Sequence, residues 1–184
     1  MMMEAFGACL ILPADVNSGS SEKRKGDMKI QPVITECNTD NDYKEALAIT
    51  KTYVKWLDID LSFQNFDEEI KNFKMMYGPP GGAYLLSRIS GIVSGGVGLR
   101  DYKPGICEMK RLYVYDDFKK MGLGRILCDA VIKKARELGY ELMRLDTMTR
   151  LVAANALYES IGFYDIPPYR ANPDPMARYL ELKL

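Results

Sequence analysis

The run Lys119-Lys120-Met121-Gly122-Leu123-Gly124-Arg125 decides how this chain is read. Before it stands Glu108-Met109-Lys110-Arg111-Leu112-Tyr113-Val114, with the composition of a strand. After it, Leu123, Ile126, Leu127, Ala130, Val131, Lys134, Ala135 and Leu138 recur at helical spacing until Gly139 stops them. A glycine turn between strand and helix suits an anion. Two glycines let the backbone turn tightly and approach a ligand, and the helix they open presents unpaired N–H groups and the positive end of its dipole. Lys119, Lys120 and Arg125 add charge around the same point. The spacing excludes a P-loop, which needs Gly-x4-Gly-Lys-Ser/Thr. It also excludes the dinucleotide fingerprint, because Leu127 stands where the third glycine belongs. A tight turn without a ligand is the plainer alternative.

Outward from this loop the elements fall into order. Lys29 to Cys37 reads as a first strand, at an edge because Pro32 cannot donate to a ladder. Asp42 with Glu45 marks a helix start, and Tyr43, Ala46, Leu47, Thr50, Tyr53, Val54 and Leu57 carry a helix over 42–56. Phe66, Ile70 and Phe73 mark a short second helix. After the break at Pro79-Pro80-Gly81-Gly82, a hairpin of 83–89 and 91–100 turns at Ser90-Gly91, and a long strand at 105–115 leads into the glycine loop. Beyond the helix 122–138 come a strand at 141–146, a helix at 150–161 stopped by Gly162, and strands at 163–166 and 177–184. The order β-α-α-β-β-β-α-β-α-β-β predicts an α/β fold of three layers, a mixed sheet with helices on both faces.

A chain of 184 residues with 47% apolar composition makes one domain. Residues 1–27, rich in Ser, Gly, Asn and charges, read as a flexible N-terminal extension, and 28–184 as the single folded domain. Lys+Arg and Asp+Glu both total 25, so no bulk field recruits nucleic acid or an anionic membrane. No stretch is long enough to span a bilayer, and the N-terminal apolar run lacks the basic flank of a signal peptide. Histidine is absent, which excludes Ser-His-Asp and Cys-His catalysis and an imidazole zinc site; no metal is expected. Cys9, Cys37, Cys107 and Cys128 have no Cys-x-x-Cys spacing and read as reduced cytoplasmic thiols.

The pattern Lys119-x-x-Gly122-x-Gly124, with Leu112-Tyr113-Val114 before it and Met143-Arg144-Leu145-Asp146 and Ala156-Leu-Tyr-Glu-Ser-Ile-Gly-Phe163 after it, resembles the GNAT (Gcn5-related N-acetyltransferase) superfamily. The pyrophosphate loop of that superfamily reads Gln/Arg-x-x-Gly-x-Gly/Ala. The resemblance is close over the second half of the chain and rests on element order in the first. It implies the acyl-CoA N-acyltransferase fold, in which the strands at 105–115 and 141–146 run parallel and splay apart around the pantetheine arm. It implies acetyl-CoA as cosubstrate, contacted by Leu112, Tyr113, Val114, Lys119, Lys120, Met121, Gly122, Leu123, Gly124 and Arg125. It places a carboxylate base at Glu108, whose alternative is a strand charge paired with Lys110 or Arg136. It places a general acid at Tyr158, whose alternative is a helix tyrosine packed on the sheet. Two departures stand out. Leu151 occupies the position, seven before the tyrosine, where the superfamily often carries Asn, with Asn155 one turn away; and Lys119 replaces Gln or Arg.

The expected activity is acetyl transfer from acetyl-CoA to a primary amine of a small molecule, by direct attack in a ternary complex. Cys128, on an apolar helix face with no histidine to activate it, is an unpromising covalent carrier. Acceptor recognition is expected in Trp56 to Gln64, in Pro79 to Gly82 and in Ile166 to Pro175, with Lys110, Arg111, Tyr169 and Arg170 as contacts for an anionic acceptor group. Two other readings remain: a CoA-binding regulatory module without turnover, and a protein or peptide acetyltransferase with an open groove. A homodimer through edge strands is a further possibility.

Overall fold

The computed structural model describes residues 31–58 and 65–184. The extension read at 1–27, the start of the domain at 28, and the acceptor-side residues 59–64 lie outside them.

Seven strands form one sheet in the order β1-β2-β3-β4-β5-β7-β6. They are β1 (Val33–Glu36), β2 (Ala83–Ile89), β3 (Ile92–Lys103), β4 (Ile106–Val114), β5 (Leu142–Met148), β6 (Tyr164–Asp165) and β7 (Ala177–Lys183). Every neighbouring pair is antiparallel except β4 and β5, as expected. β1, which follows Pro32, does lie at an edge. The β2–β3 hairpin turns where expected: Ser90 and Gly91 both have positive φ, 50° and 82°, as a two-residue turn with the right-handed twist of the strands requires.

The helices are α1 (Asp40–Leu57), α2 (Phe66–Lys71), α3 (Phe73–Met76), α4 (Leu123–Glu137) and α5 (Val152–Ile161). α1 begins two residues before the Asp42 signal, because Thr39 is its N-cap. Thr39 Oγ1 accepts from the Asp42 amide at 3.2 Å and the Asp42 carboxylate accepts from the Thr39 amide at 3.0 Å. The single short helix expected around 66–73 is two pieces that meet at Asn72.

Two cores lie on opposite faces of the sheet. Leu127, Val131 and Ala135 of α4 pack with Leu85, Val97, Leu99, Met109 and Leu145, and Tyr158 of α5 and Phe163 just after it join them. Tyr43, Ala46 and Ile49 of α1 pack with Phe73, Tyr77, Tyr84, Leu86 and Tyr113 on the other. In β4 the alternation shifts: Cys107 and Met109 face α4, then Leu112 and Val114 do. The cause is a bulge at Arg111, whose φ is +59°. Opposite it β3 advances two residues, from Gly98 to Gly96, while β4 advances three, from Lys110 to Tyr113. The bulge is braced from the α1 face. Arg111 donates from Nε and Nη2 to the two oxygens of Glu69 at 2.8 and 2.7 Å, and Tyr77 donates to Glu69 Oε1 at 2.8 Å. Tyr77 in turn lies on Gly98, where a Cβ would come within 2.5 Å of its ring.

Candidate active site

β4 and β5 pair only from Ile106↔Leu142 to Glu108↔Arg144. Beyond that rung each strand continues with its outer neighbour, β4 with β3 and β5 with β7, so the two part. The backbone of β4 that faces the gap past Glu108 therefore has no β5 partner, leaving peptide groups for a ligand. A cavity of about 750 Å³ passes between the parted strands. Its walls on the α4/α5 side include Gly124, Leu151, Ala154 and Leu157, and on the α1 side Tyr53, Trp56 and Leu57.

The α4 end of this cavity is built for an anion. Lys120 and Gly122 both adopt left-handed backbone, φ +64° and +78°. A Cβ on Gly122 would meet nothing within 4 Å, so glycine serves the turn there, not the space. Gly124 does serve space: its Cβ would sit 3.3 Å from Leu157, where α4 and α5 approach. No side chain caps α4, so its first amides point outward from the loop. Lys119 lines the cavity, hydrogen-bonded to Asp116 at 2.5 Å, with its ammonium 4.9 Å from the Trp56 ring and 5.9 Å from the Tyr113 ring. Of the expected contacts, Leu112, Tyr113, Val114, Lys119, Lys120 and Gly124 line the cavity. Leu123 is buried in the core and Met121 is half exposed outside it. Arg125 turns along α4 to Asp129, 2.9 Å away.

Tyr158 reaches the cavity from α5 and is 8% exposed. Burial raises its pKa well above the ordinary phenol value. Asn155 is turned away: its Nδ2 donates to the carbonyl oxygen of Met148 at 2.8 Å, while Leu151 lines the cavity in the position the superfamily gives to Asn. Cys128 is fully buried, and burial pushes its thiol up to about 12, so it carries no thiolate at neutral pH.

Glu108 is fully buried on the other face of β4 and is not part of the cavity wall. Oε2 accepts from Arg100 Nε at 2.8 Å and Nη2 at 2.7 Å, and Oε1 accepts from Tyr169 at 2.7 Å and from Arg170. Burial pushes its carboxyl up, but Lys110, Arg100 and Arg170 together outweigh that and hold it below the usual range. Its partners are thus two arginines the sequence did not pair with it, one of them on the Pro-rich segment between β6 and β7. That segment is pinned to the sheet here, and its Asn172 reaches the cavity wall.

Lys110 and Asp146 face each other across the gap as an ion pair of 2.8 Å, 5% and 6% exposed. Burial alone would raise the Asp146 carboxyl; Lys110 and Arg170 bring it down to about 2. Sequence reasoning missed Asp146 as a wall residue, along with Tyr53 and Arg150. The available signal was in the strands: Lys110 and Asp146 are charges at the alternate positions of segments whose other residues are apolar. The Pro79–Gly82 loop is not brought to the site. Pro80, Gly81 and Gly82 line a separate cleft of about 490 Å³ with Arg100, Asp101 and Tyr102.

A mixed sheet whose parallel middle strands part around a cavity, with an uncapped helix and lysines at one end, has the form of a site for an extended ligand with an anionic end. The sequence pattern of the Acetyltransferase (GNAT) family matches residues 49–163. An uncharacterised N-acetyltransferase of Schizosaccharomyces pombe is 38% identical over 145 residues, 78% of this chain and 89% of that protein. One of Dictyostelium discoideum is 28% identical, over 73% of this chain and 91% of that protein. Among solved structures, an acetyltransferase from Streptococcus agalactiae superposes with a TM-score of 0.68 at 21% identity, over 83% of this chain and 98% of that one. A GNAT-family acetyltransferase from Staphylococcus aureus gives 0.66 at 20% identity, over 82% of this chain and 99% of that one. The chain belongs to the GNAT acetyltransferase family. It is an N-acetyltransferase of the class that uses acetyl-CoA.

Proposed function

We propose that the acceptor is the primary amine of a small molecule, acetylated by direct attack on acetyl-CoA within a ternary complex in the cytoplasm. The observation that carries this is the closure of the acceptor side. Asn172, on the segment pinned by Arg170 to Glu108, and Leu57 at the end of α1 line the same cavity as the glycine loop. A pocket of that form suits a compact amine better than an extended peptide.

In this reading the α4 amides, Lys119 and Lys120 hold the pyrophosphate, and the unpaired β4 edge at Leu112, Tyr113 and Val114 holds the pantetheine amides. One of those N–H groups faces the oxyanion. The neutral amine forms the C–N bond as the C–S bond breaks, and Tyr158 gives its proton to the departing thiolate. To Glu108 we assign positioning of the segment that carries Asn172, because both its oxygens are engaged and it lies off the cavity wall. The amine proton then leaves to water, and Tyr158 takes a proton back from water.

The experiment is an acetylation screen of free amines and unstructured peptides with acetyl-CoA, followed by CoA release. Turnover confined to free amines supports the reading; efficient turnover of peptides alone overturns it.

A further inference from the structure

On the reading just given, the charges around the acceptor end point to a class of amine. Among the described residues, the cavity wall carries the cations Lys110, Arg111, Lys119, Lys120 and Arg150 against the single carboxylate Asp146. The carboxylates nearest the acceptor end are matched: Asp146 by Lys110, Glu69 by Arg111, and Glu108 by Arg100 and Arg170. Among the described wall residues, that leaves no unpaired carboxylate to draw a second ammonium. The residues that the sequence offered to an anionic acceptor, Lys110, Arg111, Tyr169 and Arg170, are engaged with these carboxylates.

Arg150 differs. It lies in the turn between β5 and α5, is exposed, and reaches across the cavity to donate from Nη2 to the carbonyl oxygen of Leu57 at 2.7 Å, the last residue of α1. Among the described residues no carboxylate pairs with it. A guanidinium has five N–H donors in a planar fork, and anchoring one of them to a helix-end carbonyl fixes the plane while leaving an edge for a bidentate anion. Leu57 itself and, on the same helix, Tyr53 and Trp56, stacked with ring centroids 6.3 Å apart, line the same cavity. An apolar wall next to an anchored guanidinium fits one kind of small amine. We propose that the acceptor carries a carboxylate and an apolar or aromatic body beside its amine, with Arg150 taking the carboxylate.

The rival use for Arg150 is a phosphate of acetyl-CoA, and matched pairs of acceptors separate the two. L-phenylalanine against 2-phenylethylamine, and L-leucine against 3-methylbutylamine, differ by the carboxylate alone. Each is assayed with acetyl-CoA on the full chain and on Arg150→Gln and Arg150→Lys. The expected result is a kcat/KM about ten-fold or more higher for the carboxylated members. Arg150→Gln erases that advantage, Arg150→Lys restores part of it, and the KM for acetyl-CoA stays where it was. Equal or better turnover of the bare amines overturns the proposal, as does an Arg150→Gln variant whose KM rises for acetyl-CoA instead. If acetyl-CoA raises the melting temperature but none of the amines is acetylated, this inference fails and acetyl-CoA binding stands. If acetyl-CoA gives no shift either, the underlying reading fails with it.

Discussion

In the proposed reaction Tyr158 is the acid, with its proton in place. Burial holds its pKa well above the ordinary value, so at neutral pH the hydroxyl is protonated and faces the cavity where a thiolate would depart. Replacing it with Phe removes the proton and little else, and kcat is expected to fall about hundred-fold with the KM for acetyl-CoA nearly unchanged; steady-state kinetics read both, and an unaltered kcat removes Tyr158 from the acid role. Glu108 makes the opposite case. Its carboxylate is held ionised by cations and spent on Arg100, Arg170 and Tyr169. Glu108→Gln leaves two guanidiniums without their charge partner, and the expected cost is about 3 kcal/mol of stability. Where the variant stays folded, the KM for the acceptor rises as the segment bearing Asn172 loosens, while kcat and its pH profile hold; a large loss of kcat with an altered acid limb would instead mark Glu108 as the base. From sequence alone Glu108 is a charge on a strand. Its oxygens are claimed by Arg170, 62 residues further along the chain, and no local pattern carries that pairing.

At the level of elements, the signals that held were those with a local cause. The α4 stripe, the Ser90-Gly91 turn, Gly139 and Gly162 as stops and the edge position of the first strand all follow from spacing or from φ, and the element order matched except that the second helix is two pieces. The bulge at Arg111 was not legible, because nothing local asks an arginine for a φ of +59°; it is imposed by Glu69 and Tyr77 from the α2/α3 side. It decides the site nonetheless, since it shifts the facing of every residue after it in β4. The parting of β4 and β5 was expected from resemblance, whereas their few shared rungs follow from pairing that sequence does not encode locally. The brace behind the bulge gives a sharp test. In Gly98→Ala the new Cβ would lie 2.5 Å from the ring of fully buried Tyr77, so the ring must move and with it the Glu69–Arg111 pair. A loss of about 2 kcal/mol or more in denaturant unfolding is expected; a neutral effect would mean that Tyr77 does not hold the bulge in place.

For the molecule as a whole, the account joins one cavity to two substrates entering from opposite faces of a sheet. The α4/α5 face carries an apolar wall and the uncapped helix, which the proposal gives to acetyl-CoA, and the α1 face carries aromatics, which it gives to the acceptor. The cavity is preformed, so acetyl-CoA should bind the native chain without an acceptor present. The most direct measurement is therefore the melting temperature over a titration of acetyl-CoA. A ligand confined to the native state adds about 2.7 kcal/mol at a hundred times its dissociation constant. The account predicts a rise that grows with the logarithm of concentration above that constant and is weakened when the charges of Lys119 and Lys120 are removed. An unchanged melting temperature at millimolar acetyl-CoA would contradict it.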